Sequence, residues 1–114
     1  MTLTFGWPPA VLSPNARVHW SKRAKAAKSY RAACWAIAME AGVRQREWHR
    51  PKVHLEFVPP DRRRRDWDNM LASCKNGLDG LADAMQTNDF LFRLSVTKSD
   101  EIGGMVRVTI EENP

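Results

Sequence analysis

Residues 59–85 read PPDRRRRDWDNMLASCKNGLDGLADAM, and the fold turns on how this stretch changes character along its length. Pro59-Pro60 lack the N–H groups that a sheet ladder or a helix needs, so they end the element before them. From Trp67 onward, Trp67, Leu71, Cys74, Leu78, Leu81 and Met85 recur at steps of four and three, the spacing of one helix face. Asp66 stands where an N-cap would, so its carboxylate is free to cap that helix. Asp68, Ala72, Lys75 and Asp79 fall on a second face, roughly 100° from the first. A third stripe is made of small residues: Ser73, Gly77, Gly80 and Ala84. Glycine inside a helix costs about 1 kcal/mol relative to alanine. These two are therefore expected to admit another backbone closely, from a helix of the same chain or from a partner subunit.

Working outward, Lys52–Val58 alternates, with Val53, Leu55 and Phe57 on one face, as a half-buried strand does. His54 lies on the opposite face, where it is solvent-exposed or part of a sheet surface. Before that, a helix is expected from about Ser21 (as N-cap) to Ala41, stopped by Gly42, with Ala27, Tyr30, Cys34, Ile37 and Ala41 on its apolar side. Leu3–Trp7 reads as a short strand ended by Pro8-Pro9, and Ala10–Trp20 as a loop. After the central helix, Phe90–Lys98 and Met105–Glu111 read as strands joined by a hairpin turn at Asp100–Gly104. The order β-α-β-α-β-β predicts an α+β fold, a small mixed sheet packed with two main helices, in one domain over 1–114.

Composition bounds the function. An apolar fraction of 43% and a charged fraction of 27% are those of an ordinary globular chain. No apolar run approaches the roughly 20 residues of a membrane span, and the first nine residues do not form a signal peptide, so a cytoplasmic protein with no membrane partner is expected. Cys34 and Cys74 show neither zinc-ligand spacing nor a disulfide framework and read as buried thiols. The net charge of +5 is unevenly spread: residues 1–65 hold 14 Lys+Arg and 4 Asp+Glu, residues 66–114 hold 4 and 9. Such asymmetry suits separate jobs, phosphate holding in the first half and metal holding in the second.

Chemistry converges on the central stretch. Arg62–Arg65 form the kind of run that grips a polyanion, and Asp66 and Asp68 are hard oxygen ligands of the kind divalent cations take. Asp89, in the turn after the helix, is a third carboxylate, although spacing alone does not bring it back to the other two. Lys75 shares a helix face with Asp68 and could neutralise charge on a crowded phosphate or hold an attacking water. Lys22, Arg23, Lys25, Lys28 and Arg31 crowd the first turns of the first helix, where cations oppose the macrodipole, a cost more readily borne if phosphates meet that surface. His19 is open to two readings, a phosphate- or metal-facing group or a hydrogen-bonding loop residue. These residues together suit a metal-dependent nucleic-acid enzyme. A capped helix preceded by a solvated charged loop is the plainer alternative.

Asp61–Asn69 also resembles the central motif of the RusA family of Holliday-junction resolvases, P-D-x-R-R-R-D-x-D-N. Trp7-Pro8-Pro9 with Leu12–Trp20 is similar to that family's opening loop, and Gly77–Ala84 to its phage-type branch. The resemblance implies a RusA-like fold and a homodimeric, Mg²⁺-dependent endonuclease, with Mn²⁺ able to substitute and no organic cofactor, that nicks branched DNA such as four-way junctions. It makes Asp66, Asp68 and Asp89 catalytic metal ligands. It extends the DNA-holding set from Arg62, Arg63, Arg64 and Arg65 to Asn69, Asn15, Arg17, His19, Lys22 and Lys25. Two departures stand out: Ala72 occupies the position of the family's usual lysine, leaving Lys75 one turn further along, and Asn88 precedes Asp89 where an acid is favoured. The small-residue stripe and the sheet edge are the candidate subunit contacts. Two rival readings are a branched-DNA-binding protein without catalysis and a metal-dependent nuclease for another branched, single-stranded or RNA substrate.

Overall fold

A computed structural model describes residues 1–112. Four strands, β1 (Thr2–Gly6), β2 (Lys52–Val58), β3 (Arg93–Lys98) and β4 (Met105–Glu111), form one mixed sheet in the order β1-β4-β2-β3. Helices α1 (Trp20–Glu40), α2 (Trp67–Ser73) and α3 (Lys75–Met85) complete an α+β architecture, with short 3₁₀ turns at Ala10–Leu12, Val43–Gln45 and Asp89–Leu91. Strand alternation sets the core as expected: Val53, Leu55 and Phe57 of β2 and Val106, Val108 and Ile110 of β4 are all buried, as are Leu3 and Phe5 of β1. Among the described residues no helix is long and apolar enough to cross a membrane.

Three expectations about how the elements run and pair need correction, as do others about their ends and contacts. First, β3 and β4 do not form a hairpin. β3 pairs in parallel with β2, and β4 lies antiparallel between β2 and β1. The connection therefore passes over the end of β2, where the Gly103 amide donates to the Pro59 carbonyl (2.8 Å) and the Gly104 amide to that of Val58 (2.9 Å). Gly104 takes φ +75°, a conformation glycine adopts at little cost. Second, the β3 region begins later than expected, because Asp89–Leu91 winds into a 3₁₀ turn.

Third, the central helix is two helices meeting at Cys74. The Ser73 hydroxyl donates to the Asn69 carbonyl one turn back (2.8 Å), a contact that bends helices, and the Cys74 amide is shared between the carbonyls of Met70 and Leu71. The apolar stripe holds from Cys74 through Leu78, Leu81 and Met85, all buried. At its start Trp67 swings out and is 64% exposed.

The small-residue stripe is occupied within the chain, so it is not available as a subunit contact. A Cβ on Gly80 would sit 2.3 Å from the Arg31 carbonyl oxygen, and one on Gly77 would sit 2.8 Å from the Tyr30 ring. The glycines let α3 lie directly on α1, which buries Tyr30, Cys34 and Ala38. At the start of α1 the N-cap is His19 rather than Ser21: its Nδ1 accepts from the Ser21 amide (3.2 Å) and lies 2.7 Å from the Ser21 hydroxyl. Gly42, at φ +85°, follows the helix end as expected. His54 belongs to the sheet surface, its ring nitrogens 2.6 Å from the Ser95 hydroxyl and 2.9 Å from that of Thr97 on β3.

Candidate functional site

Two clefts flank α2, and the residues singled out from sequence are divided between them. The first, about 460 Å³, is walled by Trp7, Pro8, Pro9, Pro60 and Met70. Its polar lining includes Asn15, Arg63, Arg64, Arg65, Asp66, Asn69 and Ser73. The second, about 600 Å³, has an apolar floor of Leu71, Leu78, Phe92 and Leu94, with Trp67, Asp68, Lys75 and Asp89 around it.

The arginine run does not act as a unit. Arg65 turns inward, with a side chain only 15% exposed. Its Nη1 lies 2.8 Å from an Asp61 carboxylate oxygen and donates to the carbonyls of Asp61 (3.1 Å) and Arg63 (3.2 Å). Its guanidinium also sits 5.5 Å from the centre of the Trp7 ring, which packs edge-on against Phe57. Arg65 is thus a brace that fixes the loop to the sheet. Arg63 pairs with Asp61, whose carboxylate also accepts from the Arg63 amide (2.9 Å). Hydrogen bonding from Arg65, then from the Arg63 amide, holds the Asp61 carboxyl far below the usual range. Arg62 and Arg64 are exposed and make no ion pair among the described residues, so they are the cations of the run left to meet an outside anion.

Asp66 occupies the N-cap position of α2, but its side chain makes no capping hydrogen bond. Its carboxylate, which the sequence offered as a cap, is exposed at the edge of the arginine cleft. Asp68 lines the other cleft, and one of its oxygens accepts from the Asn69 amide (3.0 Å). Asp66 is the extended N-cap residue and Asp68 lies in the first helical turn, so neighbours in the motif leave the start of α2 in different directions and line different clefts.

The fold does return Asp89 to this second cleft. Lys75, the first residue of α3, donates to Asp89 and to Asp79 (2.6 Å), joining a helix face to the turn before β3. That bond to Lys75 holds the Asp89 carboxyl below its usual range. Burial pulls Lys75 down, but the hydrogen bonds to Asp79 and Asp89 outweigh it and leave the ammonium above its ordinary value. Asp79 was visible on the Asp68–Lys75 face and yet was not singled out. The signal was its i, i+4 spacing from Lys75, the usual geometry of a helical ion pair.

Divalent hard cations take carboxylate oxygens. Asp68 and Asp89 offer such oxygens in one cleft, and Asp66 offers them at the other. No group of three or more His, Cys, Asp or Glu side chains placed to hold a metal ion is present among the described residues. Asn15 and Asn69 border the arginine cleft, whereas Arg17, Lys22 and Lys25 are exposed along the loop and first turns of α1.

No family model matches this chain. A protein of Xylella fastidiosa (strain Temecula1 / ATCC 700964), described as an uncharacterized protein, is 40% identical over 119 residues, covering 96% of this chain and 74% of the relative. The chain belongs to that protein's family. Kinship at this level implies a shared fold over nearly the whole chain, while the chemistry has to be argued from the two clefts.

Proposed function

We propose that this chain is a metal-dependent DNA endonuclease of the RusA type, acting as a homodimer on branched DNA such as a four-way junction. The observation that carries the reading is the gathering of Asp68, Asp89 and Lys75, from α2, the turn before β3 and the start of α3, around one cleft, with Arg64 unpaired in the cleft on the other side of the same short helix. Asp68 and Asp89 are the residues that would hold Mg²⁺, which when bound polarises a phosphate and lowers the pKa of a water. Lys75 keeps Asp89 ionised and adds a fixed positive charge near where a phosphate would lie. Arg62 and Arg64 supply contacts to the DNA backbone, and Asn15 and Asn69 line the cleft that Arg64 borders. The RusA-like topology is part of the same proposal and rests on the motif at Asp61–Asn69.

A second reading has an observation in its favour. Lys75 already satisfies Asp79 and Asp89, as a purely structural bridge would, and this suits a branched-DNA-binding protein without catalysis. Incubating a labelled four-way junction with Mg²⁺ or EDTA, using the native chain and Asp68→Asn, separates the two. Paired Mg²⁺-dependent nicks that vanish in the variant, with junction binding kept, are expected. Tight binding without cleavage in any divalent metal overturns the catalytic reading.

A further inference from the structure

The first 39 residues carry six cations and no carboxylate, and the helix that gathers most of those cations begins with a tryptophan left in solvent. Trp20, the first residue of α1, is 75% exposed, so packing does not account for it. Its ring centre lies 5.5 Å from that of His19, the two planes at 33°. The His19 ring is pinned by Ser21, whose amide and hydroxyl both meet Nδ1. Trp20 therefore has a fixed aromatic neighbour on one side and an open face on another. Arg17, Lys22 and Lys25 are exposed close to it in sequence and make no ion pair among the described residues. Arg23 is spent otherwise: it donates to the carbonyls of Ser13 (3.3 Å) and Ala16 (3.0 Å), tying the loop that borders the arginine cleft to the first turn of α1. The platform and that cleft are thereby fixed to one another.

We propose that Trp20, set against His19 and accompanied by Arg17, Lys22 and Lys25, is a stacking platform for an unpaired base of single-stranded DNA. Stacking needs an accessible base face, which a continuous duplex covers, and the cations meet the flanking phosphates whatever the sequence. Charge complementarity selects the occupant, since nothing in the first 39 residues would repel a polyanion. This deepens the endonuclease reading by naming unpaired nucleotides as what the protein grips near a branch. It rests on that reading for DNA as the partner and not for catalysis.

The test is fluorescence anisotropy in EDTA with a 15-nucleotide oligo-dT and a 15-base-pair duplex, on the native chain, Trp20→Ala and Trp20→Phe. Trp20→Ala is expected to weaken oligo-dT binding roughly ten- to hundredfold, with duplex affinity kept and Trp20→Phe restoring most of the loss. Native-like melting of Trp20→Ala shows that the exposed site was altered without unfolding. Unchanged oligo-dT binding by Trp20→Ala, or an equal loss on both DNAs, overturns this inference while leaving the nuclease reading in place. Failure of the native chain to bind oligo-dT overturns this inference, and failure to bind a labelled four-way junction as well overturns both.

Discussion

The two clefts beside α2 differ in how their charges are used. Around the arginine cleft the half-buried cation, Arg65, is consumed by the fold and Arg63 pairs with Asp61, whereas Arg64 in the cleft and Arg62 outside its lining make no ion pair among the described residues. In the acidic cleft the charges answer one another above a floor of leucine and phenylalanine: Lys75 holds Asp79 and Asp89, while Asp68 accepts from the Asn69 amide and makes no ion pair among the described residues. One short helix thus stands between a surface with an unpaired cation and one whose lysine is paired with two carboxylates. A run of like residues is therefore not a run of like roles, because the partner within reach, Asp61, decides which members become structure.

The largest expected effect tests the division itself. If the acidic cleft is where the chemistry occurs, Asp68→Asn and Asp89→Asn each lower junction cleavage at least about a hundredfold, above the loss typical of a supporting residue. Asp66→Asn should lower it much less. Equal collapse of all three would mean that the clefts act as one site, and the comparison would fail. Next in size is the contrast between adjacent arginines. Arg65→Ala removes carbonyl hydrogen bonds and the contact over Trp7 and is expected to cost about 1–2 kcal/mol of stability in urea unfolding. Arg64→Ala should leave stability within about 0.5 kcal/mol. Its effect should appear instead in DNA binding, lowering the log–log salt slope by about 0.9.

Much of this was legible in sequence, for identifiable reasons. The 3.6-residue stripe from Cys74 to Met85 and the alternation of β2 report burial directly, and both hold. The glycines at 77 and 80 were readable as a place of close approach, but not as the place where α1 lies, since a stripe of small residues does not name its partner. Local alternation in β3 and β4 likewise carries no information about which strand each pairs with, so a hairpin looked natural where the sheet interposes β2. The division of Asp66 from Asp68 could have been read from the N-cap position of Asp66. Asp89 could not, because its return depends on the 3₁₀ turn and on Lys75 reaching from α3. Trp67 was misplaced because it belongs to the right periodic series but lies at the frayed start of a short helix, where the stripe has not yet reached the core.

A smaller effect probes the ion pairs of the acidic cleft. Asp89 is depressed in the folded state, so its share of stability is present above the unfolded carboxyl pKa of about 3.9 and is lost as pH falls through the lower folded value. Lys75 is raised, so its share is present below about 10.4 and is lost as pH rises through the higher folded value. The bridge should therefore be intact from roughly pH 4 to 10. Because both groups are partly exposed, it should contribute no more than about 1 kcal/mol. Urea midpoints measured against pH should show Asp89→Asn flattening the acid limb and Lys75→Met the alkaline one. Unaltered limbs would mean that the bridge is not held in solution, and the acidic cleft would then carry free charges as the arginine cleft does.

The smallest expected effect concerns the wall between the clefts. Cys74 marks the joint of α2 and α3, with Ser73 lining one cleft and Lys75 the other, and its thiol faces Tyr30 in the core. Burial pushes Cys74 up to about 11 and Cys34 up to about 12, so neither forms thiolate near neutral pH. Tyr30 adds to the seal, its hydroxyl donating to the Gly6 carbonyl at 2.7 Å and so linking α1 to the end of β1. A thiol reagent at pH 8 should leave both cysteines of the folded chain unlabelled and react with both once the chain is unfolded. Rapid labelling of Cys74 alone under native conditions would mean that the helical joint opens. Two clefts divided by a wall that opens are a single changeable surface, and Asp66 would then have a route to Asp68 that a closed joint denies it.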